Sequence, residues 1–329
     1  MQNIKVGLVG CGGYGNVHLD YLLTRGDVSV TALATTNVER LRKTGAKAPS
    51  ARLYCSFDEM LAGEEALDAV VICIPPDSHG DIEAKAAGRG IHLFVEKPID
   101  NSLEAAQKKA DIIRASGIIT CVGYKGRYGD GLDEMRRQTR ESGIALIQGR
   151  WIGSMPGAEW WRDKARSGGQ LVEQCTHIAD LMRYFAGEAA EVYAAAHNDI
   201  NASPLPHTAD DSSAAVIRFK SGVTGTLLTG CFQDPSQIKP DIGLEVYCRD
   251  FTVRSLWQNG LDRIGARDSQ PVHYPAAPAL HTRAMDAFID AVKTGDRSAI
   301  RSDWDDALET LRLTLALDES IATGAPVSL

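Results

Sequence analysis

Between Ile4 and about Gly123, short apolar runs rich in β-branched residues alternate with stretches whose apolar positions recur at helical spacing. That alternation is the mark of parallel strands joined by crossover helices. The runs predict strands at Ile4–Val9, Val28–Ala34, Ala69–Ile74, His92–Val95 and Ile118–Val122. Helical patterns fall between them, near Asn16–Thr24, Val38–Thr44, Ser78–Ala87 and Leu103–Ala115, with Gly88, Gly90 and Gly117 close to the expected helix ends. The first half reads as a doubly wound α/β domain.

After Gly123 the rhythm changes. A helix is expected near Leu132–Glu141 and a strand at Ala145–Trp151, then a Gly- and Trp-rich loop leads into a helix from about Gln170 to Phe185. Ser212–Lys220 and Val223–Phe232 flank Ser221-Gly222, where glycine supplies the positive φ of a hairpin turn. Ile242, Leu244, Val246 and Cys248 alternate as one strand face, and helices are expected at Thr282–Val292 and Trp304–Thr323. This half reads as α+β with an antiparallel-leaning sheet. The expected division is therefore 1–122 and 123–329, without repeats or low-complexity tracts.

Composition narrows the function. The chain has 329 residues, long enough for about two domains, and 35 basic against 43 acidic residues give a net charge of −8. A general nucleic-acid binder needs an excess of Lys and Arg, so small-molecule chemistry is the better starting point. No apolar run reaches the roughly 18 residues of a membrane span, and the first ten residues enter a strand without a secretion signal. Seven scattered cysteines form no C-x-x-C pair, which argues against a disulfide framework or a structural zinc site. A cytoplasmic location is expected.

The first strand runs into Gly10-Cys11-Gly12-Gly13-Tyr14-Gly15, a G-x-G-x-x-G turn placed before a helix. Gly10 would permit the tight turn, Gly12 the approach of a pyrophosphate, and Gly15 the packing of helix on strand. The plain alternative is a glycine-rich turn that binds nothing. A carboxylate usually ends the second strand and bonds the adenosine ribose, but here the stretch is Ala34-Thr35-Thr36-Asn37. Thr35, Thr36 and Arg40 can donate to a ribose 2′-phosphate, and threonine can also bond a free hydroxyl. NAD and NADP both stay open, with NADP slightly favoured. Cys11 at a helix amino terminus is a site where a thiol pKa can fall, although it reads more simply as a small loop residue.

Two further strand ends carry Ile74-Pro75-Pro76-Asp77-Ser78-His79 and Glu96-Lys97-Pro98. Open α/β sheets place ligands at such carboxyl ends. Later come Gly123-Tyr124-Lys125-Gly126-Arg127-Tyr128, Trp160-Trp161-Arg162, and the run Ser167-Gly168-Gly169-Gln170 through Glu173 and His177 to Asp180. In this order the pieces resemble the Gfo/Idh/MocA oxidoreductase family over nearly the whole chain. The resemblance implies a Rossmann domain followed by an α+β domain with a large open sheet. It also implies hydride transfer between a nicotinamide and a sugar or cyclic polyol, and homo-dimers or homo-tetramers formed through that sheet.

By the same resemblance Lys97 contacts the reacting hydroxyl, and Ile74, Pro75, Pro76, His79, Glu96 and Lys97 join the glycine turn around the cofactor, although an isolated histidine near a helix start, as His79 is, is more often structural. Oxidising an alcohol also needs a base unprotonated near neutrality, a task that suits His177, with Lys97 holding the oxygen. A desolvated lysine loses its proton more readily, so the two roles can be exchanged or shared. Glu173 and His177, four residues apart, share one face of a helix, which suits a carboxylate orienting the imidazole or gripping a substrate hydroxyl. The family usually has Asp at the position of Glu173 and a third glycine at Gln170. A pair of this spacing is often only a surface pair, and two ligands are too few for a metal.

Trp160 and Trp161 suit an apolar wall for a sugar ring or plain packing. Arg127 and Arg162 suit substrate anchoring or a domain-interface ion pair. Tyr14 and His18 follow the glycine turn and can simply pack, and the Ala202–Asp211 loop, with Pro204 and Pro206, is a selectivity loop or a connector. Two other function classes remain: a glycosidase of the same superfamily that holds NAD permanently, and a non-catalytic dinucleotide sensor.

Overall fold

The computed structural model describes residues 3–201, 203, 205–256, 260–265, 270–275 and 280–329. In chain order the elements begin β1 (Ile4–Val9), α1 (Gly13–Leu22), β2 (Val28–Ala34), α2 (Val38–Gly45), β3 (Arg52–Tyr54), α3 (Phe57–Gly63), β4 (Ala69–Ile72), α4 (Ile82–Gly88), β5 (His92–Val95), α5 (Leu103–Ser116) and β6 (Thr120–Val122). There follow α6 (Leu132–Ser142), β7 (Ile144–Ile152), α7 (Glu159–Arg162), α8 (Lys164–Ser167), α9 (Thr176–Ala186), β8 (Ala189–His197), β9 (Ser212–Phe219), β10 (Thr224–Gly230) and β11 (Asp241–Cys248). The chain closes with β12 (Thr252–Leu256), β13 (Gly260–Ile264), β14 (Val272–Tyr274), α10 (Leu280–Thr294), α11 (Trp304–Thr323) and β15 (Val327–Ser328).

Two compact units result. One takes the chain through Tyr124 together with His281–Leu308, and the other takes Lys125–Leu280 and Glu309–Leu329. Chain order alone would leave His281–Leu308 with the second half. In the structure Trp304 packs under the first sheet, its indole donating to the Ala106 carbonyl and its backbone N–H to the Thr120 hydroxyl.

The first unit is a six-stranded parallel sheet in the order β3-β2-β1-β4-β5-β6. Its central strands are buried on both faces, which is why they read as continuous apolar runs. β3 and α3 lie in a stretch with no expected elements. Their signal was nonetheless local: Ser56 caps α3 by accepting from the Glu59 N–H, with Asp58 and Glu59 in the first turn. The helix expected over Ser78–Ala87 is split into a 3₁₀ turn at Pro76–Ser78 and α4, because Gly80 between them has φ +53°.

The second unit is a nine-stranded sheet in the order β14-β13-β12-β11-β7-β10-β9-β8-β15. Among the described residues only the β7–β10 pair is parallel. The β9–β10 hairpin turns at Gly222, φ +89°. Helix α9 is buried along its whole length against one face of this sheet. A Cβ at Gly149 would lie 2.5 Å from Ile178, and one at Gly225 2.8 Å from Met182, so glycine on β7 and β10 sets how closely α9 approaches. Both halves have the α/β and antiparallel-leaning architectures expected from the sequence. Ala202 and Pro204 of the suspected selectivity loop lie outside the described residues.

Candidate active site

In the first unit, register defines the site. Val9 pairs with Ile72, Ile72 with Val95, and Val95 with Val122, so Gly10, Cys73, Glu96 and Gly123 leave their strands at one level. Gly10 has φ +98°, and a Cβ there would sit 2.1 Å from the Cys73 carbonyl oxygen. A Cβ at Gly15 would sit 1.9 Å from the Gly10 oxygen. Nothing lies within 4 Å of a Cβ built at Gly12 or Gly13. The first and last glycines thus serve the fold, whereas the middle pair opens a cradle beside the helix start. That division fits a pyrophosphate held by backbone N–H groups.

Asn16, which sequence reading passed over, braces this turn by donating to the carbonyls of Cys11 and Gly12 at 3.2 and 2.9 Å. The signal available for it was a lone amide one residue after the last glycine. Tyr14 is half exposed at 47% and its ring lies 6.3 Å from that of His18. At the end of β2, Thr35 is half-buried, while Thr36 and Arg40 are exposed together with Glu39. The Asn37 side chain caps α2 by accepting from the Arg40 N–H.

Ile74 and Pro75 are half-buried and Pro76 buried in the turn after β4. His79 is buried and pairs through Nδ1 with Glu83, whose other oxygen is 3.0 Å from the Lys109 ammonium; that ammonium also bonds Asp100 at 2.9 Å. Burial opposes ionisation of Glu83, but the His79 ring and Lys109 outweigh it, and the carboxyl is held below its ordinary range. Lys97 is half-buried immediately after Glu96. Burial pushes the Cys11 thiol up, the reverse of the shift that a helix amino terminus suggested. Cys73 and Cys175 are pushed up for the same reason, so none of these thiols is an activated nucleophile.

The second unit carries the remaining candidates. The continuous helix expected from Gln170 to Phe185 is instead a π turn over Gln170–Gln174 followed by α9. Gln170 explains the start of this turn, because its amide donates to the carbonyls of Gly230 and Trp151 at 3.3 and 3.4 Å. A glycine there would lack that tie between the ends of β7 and β10. Glu173 accepts from the Trp161 indole at 2.6 Å. His177 is buried in the first turn of α9 and stacks on Trp151, ring centroids 5.9 Å apart and 18° from parallel.

Trp161 is buried and Trp160 packs beside it half-exposed. Arg162 donates to the Pro206 carbonyl at 2.6 Å. Arg127 forms a two-pronged ion pair with Asp180 of α9, at 2.8 and 2.6 Å, inside this unit rather than between domains. Thr310 adds a bond to the same carboxylate and accepts one from Arg183. Among the described residues no group of three or more His, Cys, Asp or Glu could hold a metal ion. Nor is any of their helices long and apolar enough to cross a membrane.

Residues 4–124 match the NAD-binding Rossmann fold of the Gfo/Idh/MocA oxidoreductase family, and residues 143–254 match the GFO/IDH/MocA C-terminal domain. The chain belongs to the Gfo/Idh/MocA oxidoreductase family. As a member it is an NAD(P)-linked dehydrogenase. Among its relatives, scyllo-inositol 2-dehydrogenase (NAD(+)) of Bacillus subtilis is 28% identical over 282 residues, covering 80% of this chain and 78% of its own. D-xylose 1-dehydrogenase (NADP(+)) 2 of Haloferax volcanii is 23% identical over 338 residues, covering 98% and 99%. A structure of levoglucosan dehydrogenase in complex with NADH and L-sorbose superimposes with a TM-score of 0.87 at 20% identity, covering 100% of this chain and 99% of that one.

Proposed function

We propose that this family member transfers a hydride between a nicotinamide cofactor and a secondary hydroxyl or ketone of a sugar, sugar derivative or inositol. The observation that carries the reading is the shared strand-end level of the Gly10 turn, Cys73 and Glu96, one residue before Lys97. The relatives named for inositol and xylose support the substrate class. Gly12, Gly13 and Tyr14 would hold the cofactor's phosphates on the turn that Gly10 and Gly15 make possible, with Pro75, His79 and Glu96 beside them. When bound, the nicotinamide supplies the hydride acceptor.

The chain's own work is to hold the reacting oxygen and move its proton. The Lys97 ammonium donates a hydrogen bond to the hydroxyl oxygen, and a neutral His177 ring accepts its proton. Stacking on Trp151 keeps the His177 ring in one orientation. Glu173, restrained by Trp161, serves hydroxyl positioning, and Trp160 with Arg162 borders the substrate. Thr36 and Arg40 favour NADP at least as well as NAD, because no carboxylate ends β2. The sheet face opposite α9 exposes Tyr193, Val216 and Leu146, the natural seat of a homo-dimer or homo-tetramer, which sedimentation velocity measures.

The test is nicotinamide reduction across inositols, aldoses, sugar acids and amino sugars, each with NAD and with NADP. Turnover with one of these classes is expected, and Lys97→Met and His177→Ala should each lower kcat by about 10²–10⁴. Near-normal turnover in either variant removes that residue from the chemistry. Cofactor binding without turnover, together with release of a chromogenic aglycone, would replace the dehydrogenase reading with the glycosidase one.

A further inference from the structure

His18 lies on α1, the helix that starts at the glycine turn, and its side chain is fully buried. Its ring packs edge-on against Phe94 of β5 at 5.1 Å and lies 6.2 Å from the ring of His281 on α10. Packing alone would be met by any ring of this size. Yet Nε2 meets the Glu96 carboxylate at 2.8 Å, across 78 residues of sequence. An ionised carboxylate only accepts, so Nε2 is the donor.

A second neighbour, Gly123, confines that carboxylate. A Cβ at Gly123 would lie 2.8–2.9 Å from its oxygens and Cδ, so the end of β6 leaves room for Glu96 only because residue 123 has no side chain. Glu96 is 13% exposed at the side chain. Burying a carboxylate this far is costly unless it is hydrogen-bonded, and a ring donor on a rigid helix answers that cost while fixing the rotamer. The charge is felt locally: after burial, Glu96 is the next cause of the raised Cys73 thiol at the neighbouring strand end.

We propose that His18 is a positioning residue of the cofactor site, acting through Glu96, whose carboxylate it fixes at the strand end beside Lys97. The proposal rests on the reading of Glu96 as a cofactor residue. His18 thereby ties the helix that begins at the phosphate cradle to the strand end that carries Lys97, so both ends of the cofactor site share one support.

The test is calorimetric titration with NADH or NADPH, whichever the unmodified protein binds more tightly, with thermal melts of every variant. His18→Phe keeps the ring and removes the donor, and should weaken cofactor binding about tenfold. His18→Gln restores an amide donor and should recover most of that loss. The double variant with Glu96→Gln should bind no more weakly than Glu96→Gln alone, since the two act through one bond. If His18→Phe does not fold, His18→Met, which also lacks a donor, is read in the same way. Wild-type affinity in a folded donor-less variant, no recovery with Gln, or additive losses in the double variant would overturn the role of His18. Wild-type affinity in Glu96→Gln would instead overturn the reading of Glu96 itself.

Discussion

The Gly10–Gly15 turn and the Gln170–His177 turn each deliver a helix carrying a candidate residue, but different forces shape them. In the first, backbone meets backbone: the atoms a Cβ would strike at Gly10 and Gly15 are carbonyl oxygens of Cys73 and Gly10. In the second, side chains reach across the fold. Gln170 binds two carbonyls at the ends of β7 and β10, Trp161 binds Glu173, and Arg127 binds Asp180 one turn beyond His177. A turn dictated by sterics fails when one atom is added, whereas a turn held by side chains fails when one partner is taken away.

The sharpest test is to add that atom. Gly10→Ala combines a strained φ with a clash against backbone, and should cost more than about 5 kcal/mol, read as loss of the cooperative unfolding transition. Gly12→Ala, with open space around the new methyl, should melt within a few degrees of wild type and show its effect in cofactor titration instead. Equal damage from both would dissolve the division between fold-bearing and ligand-facing glycines.

Next in size is Arg127→Met, which leaves the buried Asp180 carboxylate without its ion pair. A loss of about 3–5 kcal/mol in urea unfolding is expected. A silent change would mean that α9 is held by packing alone. Trp161→Phe keeps an aromatic ring but removes the donor to Glu173, and should cost about 1–3 kcal/mol. If Glu173 contributes to hydroxyl positioning, KM should rise in this variant more than kcat falls.

The smallest effect concerns Glu83, buried on α4. Its folded-state value lies below the ordinary 4.5, so its stabilisation is complete above that value. As pH falls the unfolded chain takes up the proton first, and the contribution shrinks until the folded carboxyl is protonated too. The urea-midpoint difference between wild type and Glu83→Gln should therefore narrow on acidification from pH 6 toward the ordinary value of 4.5. A difference that widens would reverse the sign assigned to this group.

These contrasts explain what could be read along the chain. The parallel strands other than β3, the hairpin at Gly222 and the glycine turn depend on residue type and spacing within a few positions, and these appear where the pattern put them. So did the level of Glu96 and Lys97, because a strand's end locates its next residue. The π turn did not appear in the pattern, since Glu173 and His177 have ordinary helical spacing and the departure is imposed by Gln170 reaching β7 and β10. α3 was missed although its Ser56 cap was legible.

By itself the sequence determined the alternation of strands and helices, the turn that only glycine can make, and the family to which the chain belongs. Tertiary structure decided which polar side chains meet: His18 with Glu96, 78 residues apart, and Arg127 with Asp180, 53 apart. It also decided that His281–Leu308 joins the first unit. Backbone sterics are settled by each residue and its immediate neighbours, whereas the partner of a buried charge is settled only when packing brings distant segments together and leaves one donor within reach.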